Sequence, residues 1–567
     1  MWVSLAGLIG GCHDDASHPS VAETGSSSGA VEATTGTTGS EADSGPADSS
    51  SSGGEPVAPP VDAAPGGIRR LRADQYIATV RSLFGPEAAE AASPPADQPL
   101  SGFDSVGNAQ LPLSPAMVEA YEQSALAVAK AVVEYPAQLS GYIPCVTTEW
   151  NEGCYVKVAE DLGRIMWRRE LTFDEVDMLV DLARAAQTTN DGRFELGLRF
   201  EIAMLLQSPD FIYTVELGEA RDDGKIWLTT DEWVTRASLF VLGRAPDPQT
   251  IARIDAGELD GEDAPRTLAL EMLDRPEARI AVGRFFDELL RVREVVTKAK
   301  DPELYPLFTP ERAASMRQET LQLVQHVVFS DESDKNLLGI FDADYTFVDA
   351  QLAELYGLPI PVFDSFEKTE LPASQGRLGV LSHPALLAVA SHHDRNSPTR
   401  RGLFVQRTLL CNEVPPPPGD VDTTLPEPSE ETTLRARMEG HIAQGGICTG
   451  CHVQTDPIGF AFEYFDASGV RRELDNGFPI DASGSVDGIG EFSNAAELAL
   501  LIRDDPRIGP CLVRNLYRHA IGRVEDEGTI DAMVFLSDGF TATNQDMQQL
   551  IVDMVDNPAF RQVGEPQ

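Results

Sequence analysis

The 567-residue sequence predicts a mostly α-helical protein, several helical domains in series, and three observations carry that prediction. Apolar residues recur at three- and four-residue spacing. Helix-start signals stand immediately ahead of those runs. Alternating strand patterns bounded by hairpin turns are scarce before residue 470.

The chain divides into seven parts. Residues 1–12, MWVSLAGLIGGC, form a short apolar run ending at Cys12, and the closing Ile9, Gly10, Gly11 and Cys12 resemble a bacterial lipoprotein signal with its lipobox. Cleavage before Cys12 would leave that thiol lipidated. The run is too short to span a bilayer, and no positively charged stretch opens it, as expected if the natural start lies upstream of Met1. Residues 13–65 are almost wholly Ser, Gly, Thr, Ala, Glu, Asp and Pro. That composition cannot offset the entropy of folding, so a disordered linker is expected, with a root-mean-square span of roughly 40 Å.

Helical domains are expected at 66–140, 141–220, 221–372 and 486–567, with 373–485 forming a segment of its own. In the first, Leu71, Tyr76, Ile77, Val80, Leu83 and Phe84 keep helical spacing up to Gly85, an apt C-terminal cap. Thr172 with Glu175, and Thr229 with Glu232, read as capping boxes. Pro310 follows Thr309, where a first-turn proline is tolerated. Boundaries fall at the proline-bearing stretch Ala89 to Leu100, at polar Glu219 to Gly224, and at Ala373 to Gly379. The run Pro415 to Pro418 cannot be helical and predicts a polyproline II spacer ahead of an acidic linker, after which a helix near Leu434 to His441 leads into the segment's centre.

Charge narrows the function classes. Lys plus Arg number 44 against 90 Asp plus Glu, a net charge of −46, which repels phosphate backbones and argues against nucleic acid as a partner. It does not favour anionic lipid either. No later run has transmembrane length, so membrane attachment is expected through Cys12 alone. Seven Cys are too few for a disulfide scaffold.

The centre of the 373–485 segment is Cys448, Thr449, Gly450, Cys451 and His452, the CxxCH pattern. Two thiols three positions apart can each add across a haem vinyl group, and the adjacent imidazole can ligate the iron, so covalent haem c held by Cys448, Cys451 and His452 is the leading reading. The same thiols could instead close a small disulfide, act as a redox dithiol, or join a zinc site with His441 or Cys411. No methionine lies between Val453 and Ala532. Candidate sixth ligands are therefore Met438 and His441 upstream, and His519 or Met533 downstream, unless the iron is open. Asp456, Pro457, Gly459, Glu463 and Asp466, with Phe460 and Phe462, read either as a loop over the haem edge or as a turn into a core helix. Arg400 and Arg401 read as a propionate clamp or as partners of carboxylates. His392, His393 and Asp394 are adjacent in sequence and point apart unless a loop bends them together. No nucleophile elbow, phosphate-binding loop, HExxH or dinucleotide fingerprint is present.

Four cysteines remain after Cys12 and the CxxCH pair. In an oxidising compartment Cys145 pairs with Cys154 across a short turn-bearing loop, and Cys411 with Cys511 by elimination. Buried thiols are the alternative for both pairs.

The segments RRLRADQYIATVRSLFG (69–85), RELTFDEVDMLVDL (169–182), LQSPDFIYTVE (206–216), DYTFVDAQLAELYGLP (344–359), RNSPTRRGLFVQRTLLCNEVPPPP (395–418) and CTGCHVQTDPIGFAFEYFDASG (448–469) together resemble one family. The chain is similar to the planctomycete-type cytochrome-domain proteins, exported multi-domain bacterial proteins of unknown function. The resemblance runs from Arg69 to the end and implies haem at Cys448, Cys451 and His452, hence a small cytochrome-c-like segment near the C-terminus. It implies no substrate. The expectation is a lipid-anchored extracytoplasmic haem protein with an electron-transfer or haem redox role, periplasmic or surface-exposed in the cell envelope, meeting an envelope protein or redox partner. Two readings compete: a non-haem surface scaffold or binding lipoprotein whose CxxCH cysteines form a disulfide, and an oxidoreductase with an open haem site.

Overall fold

Local side-chain chemistry sets the helix ends. In the computed structural model, which describes residues 58–59, 61–362, 365–415, 432–442 and 449–565, Glu175 N donates to Thr172 Oγ1 at 3.4 Å and Thr172 N donates to Glu175 Oε2 at 2.8 Å. This box opens the helix Phe173–Thr189, and Thr229 with Glu232 opens Thr230–Val241 in the same way. Thr309 accepts from Arg312 N at 3.2 Å ahead of Pro310–Phe329. Each cap satisfies a backbone donor that has no partner inside the helix. The helix Ala73–Phe84 stops at Gly85, whose φ of 94° suits a residue without a Cβ. The mostly α prediction holds. Cys12, nearly all of the 13–65 linker, most of the proline run and Cys448 lie outside the described residues.

Two hydrophobic cores organise these helices. One gathers Tyr76, Tyr121, Tyr155, Phe194 and Phe211 from the elements between 73 and 212. Tyr155 stacks on Phe194 with ring centroids 4.6 Å apart, and Phe211 meets Tyr76 edge-on at 5.3 Å. Each aromatic buried to this degree contributes roughly 2–3 kcal/mol relative to exposure. The other core runs from Leu228 to Val563 and also takes in Phe103 and Val106, which reach it from the N-terminal region.

Short strands stitch distant parts together. Gly67–Arg70 pairs antiparallel with Tyr213–Glu216, and Gln562–Val563 pairs with Ile226–Trp227, so the chain end returns to its middle. Buried Glu216 locks this junction: Arg236 reaches Oε2 at 2.8 Å and Arg69 reaches Oε1 at 3.2 Å. The two guanidiniums hold the Glu216 carboxyl down at about 2 against the opposing effect of burial.

An antiparallel pair of Tyr345–Val348 with Glu367–Glu370, joined through the helix Ala350–Tyr356, stands before residue 470, where strand patterns are scarce in the sequence. Thr346 and Val348 alternate into the core, but the partner strand, EKTE, carries no apolar alternation. Its pairing is imposed by the neighbour rather than by its own pattern. No helix among the described residues is long and apolar enough to cross a membrane.

Candidate functional site

The helix Thr449–Phe460 carries Cys451 and His452 in its first turn. Positions 452, 455, 456 and 459 share one face by helical geometry. That face lies along the helix Pro398–Phe404, and two glycines set the spacing. A Cβ on Gly402 would come 1.9 Å from the Thr455 carbonyl oxygen, and one on Gly459 would come 2.0 Å from that of Pro398. The backbones therefore meet without intervening side chains.

Asp456 is 1 % exposed and divides its carboxylate between two tasks. Oδ1 accepts from Thr399 Oγ1 at 2.8 Å and from Thr455 Oγ1 at 3.2 Å. Oδ2 lies 2.7 Å from His452 Nδ1. The ring thus donates from Nδ1 to a buried carboxylate, which leaves Nε2 as its acceptor atom. The His452 side chain is 23 % exposed, and the hydrogen bond it donates to Asp456 raises its pKa. Cys451 is partly buried beside it.

The helix runs through three of the five residues expected to form a loop or turn, while Glu463 and Asp466 lie beyond its end. Asp456, Pro457 and Gly459 are all helical, because contact with Pro398–Phe404 holds the helix together through its interior proline. The turn comes afterwards, and Arg401 pins it by donating to the carbonyls of Phe462 at 2.8 Å, Phe465 at 3.1 Å and Asp466 at 2.9 Å. Burial lowers the Arg401 pKa to about 10. Its side chain is committed to this turn, with Glu463 at 3.6 Å, rather than to a ligand. Glu463 also accepts from Asn396 at 3.0 Å and Arg472 at 2.5 Å.

Pro398–Phe404 runs on into a π-helical turn, Val405–Leu409, from which Gln406 Nε2 donates to the Gln454 carbonyl at 2.9 Å. Just beyond, Cys411 is bridged to Cys511, with Cα atoms 5.4 Å apart, and Cys145 is bridged to Cys154 at 5.6 Å. Cys411 is thereby removed as a zinc ligand. Among the described residues no group of three or more His, Cys, Asp or Glu side chains could hold a metal ion, the His392 to Asp394 stretch included.

The candidate sixth ligands scatter. Met438 is buried with Leu434 and Phe460 in a small cluster where the helix Leu434–Ile442 meets Thr449–Phe460. Phe460 follows His452 by eight positions, about 12 Å along a helix. His441 belongs to the same Leu434–Ile442 helix. His519 lies in the large core's neighbourhood, ringed by Phe285 at 5.4 Å, Phe103 at 5.8 Å and Phe240 at 6.5 Å between centroids. Its Nδ1 is 3.5 Å from Glu288 and its Nε2 is 3.4 Å from Arg72, and burial lowers its pKa. Met533 is a core residue of Ile530–Ala542.

Sequence reasoning left Asp456 between a loop over the haem edge and a turn into a core helix, missed its pairing with His452, and missed Thr399 altogether. The pairing had a signal, because His-x-x-x-Asp puts both side chains on one helical face. Thr399 had none.

A second buried polar cluster was also missed. Glu319 accepts from Thr346 at 2.6 Å and from Tyr356 at 2.5 Å, while its Oε2 has no hydrogen-bond partner, and burial raises its pKa to about 7. His383 lies 4.0 Å from Glu319, bonds Thr320 at 3.0 Å, and is pushed by burial down to about 3.

Four family models match successive stretches of this helical, CxxCH-bearing chain. In order they are PSD3, a protein of unknown function (DUF1587), over 69–134; PSD5 (DUF1595) over 154–216; PSD4 (DUF1592) over 228–358; and PSCyt3 (DUF1588) over 377–475. Together they support the planctomycete cytochrome-domain family suggested by the motifs, and all four are described as of unknown function. No curated protein and no solved structure matches the chain.

Proposed function

We propose that the protein is a lipid-anchored, extracytoplasmic c-type haem-binding protein with an electron-transfer or haem redox role in the cell envelope. The observation that carries this reading is the 2.7 Å contact of His452 Nδ1 with buried Asp456, beside Cys451 in the first turn of a helix. A metal-ligating imidazole almost always donates its other ring N–H to a fixed acceptor, and Asp456 would supply that acceptor for His452. Cys451 and His452 therefore fit a covalent haem, with Cys448, outside the described residues, as the second thioether. The group, when bound, would supply one-electron redox chemistry. Asp456 and Thr399 orient the imidazole, and the glycine-spaced helix pair holds that face rigid.

The match to PSCyt3 spans this region and supports the reading. The two disulfides suit an oxidising compartment, and Cys12 with the polar linker suits a tethered body.

Protein matured in a host competent for cytochrome c assembly should show an intact mass raised by one haem and a Soret band that survives acid-acetone extraction. Replacing both Cys448 and Cys451 by Ser should abolish both signals. Wild-type protein without them would sink the proposal. The two bridges elsewhere favour a second reading, a non-haem surface scaffold or binding lipoprotein with Cys448 and Cys451 oxidised to a disulfide. Peptide mapping of native material separates the two, since a Cys448–Cys451 disulfide and two thioethers exclude each other.

A further inference from the structure

We infer that Asp456 is a positioning residue that gives the His452 ligand anionic character and so biases the haem iron toward the ferric state. The inference rests on the haem proposal and adds to it the direction in which this chain tunes the iron.

The argument starts from the carboxylate's surroundings. Asp456 is almost fully buried, and neither of the contacts of Oδ1 brings a positive charge to it, since both donors are threonine hydroxyls. Its Oδ2 accepts from His452 Nδ1 at 2.7 Å. A charge in a poorly polarisable site acts strongly on its neighbour, and a ring donating to such a group is a more basic ligand than one donating to a neutral carbonyl. A more basic ligand stabilises the more positive oxidation state of the metal. The same carboxylate fixes the ring tautomer.

Geometry separates this role from a merely structural one. The tie between the two helices uses Oδ1 and Thr399, whereas the imidazole uses Oδ2. Backbone contact at Gly402 and Gly459 already fixes the helix pair. An amide in place of the carboxylate removes the charge; with its oxygen toward His452 Nδ1, its NH2 group faces the Thr399 and Thr455 hydroxyls, which can accept.

The test compares haem-loaded wild type with Asp456→Asn by spectroelectrochemical titration. The expected result is at least a tenfold shift of the ferric–ferrous equilibrium toward ferrous in the variant, 59 mV for one electron. Thr399→Val, which removes one hydroxyl donor from the carboxylate and keeps its charge, should not reproduce the shift toward ferrous; should the Asn variant fail to accumulate, Asp456→Ser, which also removes the charge, takes its place in the titration with the same expected shift, and an unchanged potential there overturns the inference. Imidazole ¹⁵N shifts give a second readout, with the Nδ1–H form of His452 expected in the haem-free wild-type chain and lost in Asp456→Leu. Haem-loaded Asp456→Asn with an unchanged potential overturns this inference and leaves the haem proposal standing. Wild-type protein without a Soret band removes both.

Discussion

Gly402 and Thr455 touch through their backbones: a Cβ added at Gly402 would lie 1.9 Å from the Thr455 carbonyl oxygen. Nothing flexible can give way there. Gly402→Ala should therefore force the two helices apart and destabilise the protein by about 3 kcal/mol, the upper part of the range for overpacking. Gly440, on the exposed side of its helix with no atom within 4 Å of an added Cβ, is the control. Gly440→Ala should be neutral or stabilise by up to about 1 kcal/mol through helix propensity. Denaturant unfolding of both variants checks the contrast.

Buried Glu319 makes stability depend on pH. Its pKa of about 7 lies above the ordinary 4.5, so its contribution is complete below about pH 4.5 and is lost as pH rises toward 7, where the unfolded chain ionises first. At roughly 1.4 kcal/mol per pH unit the loss is about 3 kcal/mol. His383 acts in the opposite sense, contributing fully above pH 6.5 and losing that contribution as pH falls toward 3. The two slopes oppose each other, so the informative quantity is a difference. The stability of Glu319→Gln relative to wild type should rise by about 3 kcal/mol between pH 4.5 and 7; a constant difference would show that Glu319 does not titrate in this way.

The Cys411–Cys511 bridge closes a loop with a sequence separation of 100, against 9 for Cys145–Cys154. Restricting the unfolded chain should make the first worth about 4–5 kcal/mol and the second about 2.5 kcal/mol. Paired Cys→Ser variants, unfolded in denaturant under non-reducing conditions, should show that order.

Cys12 is expected to carry the membrane anchor. Labelled fatty acid should appear on the wild-type chain and be absent from Cys12→Ser, with the variant found in the soluble envelope fraction or left unprocessed. Equal partitioning of both forms would remove the anchor from the proposal.

What lay within a few residues along the chain was legible in the sequence. Capping boxes at Thr172 and Thr229, the stop at Gly85 and the proline after Thr309 each satisfy or terminate a backbone pattern locally, and the structure places them as read. The Cys411–Cys511 pairing came from counting alone, since few partners remained. His452 and Asp456 sat in plain view at helical spacing, but their relation depended on knowing that the helix runs through Pro457, and this rests on contact with Pro398–Phe404. Thr399, the carbonyls that Arg401 holds and the Glu319–His383 cluster depended wholly on tertiary structure. Thr399 meets Asp456 from 57 residues away and Arg401 meets Phe462 from 61, while Glu319 and His383 come from separate elements. Sequence pattern reports which face of an element is apolar, whereas the meeting of two polar groups from separate elements is decided only when the cores between them pack.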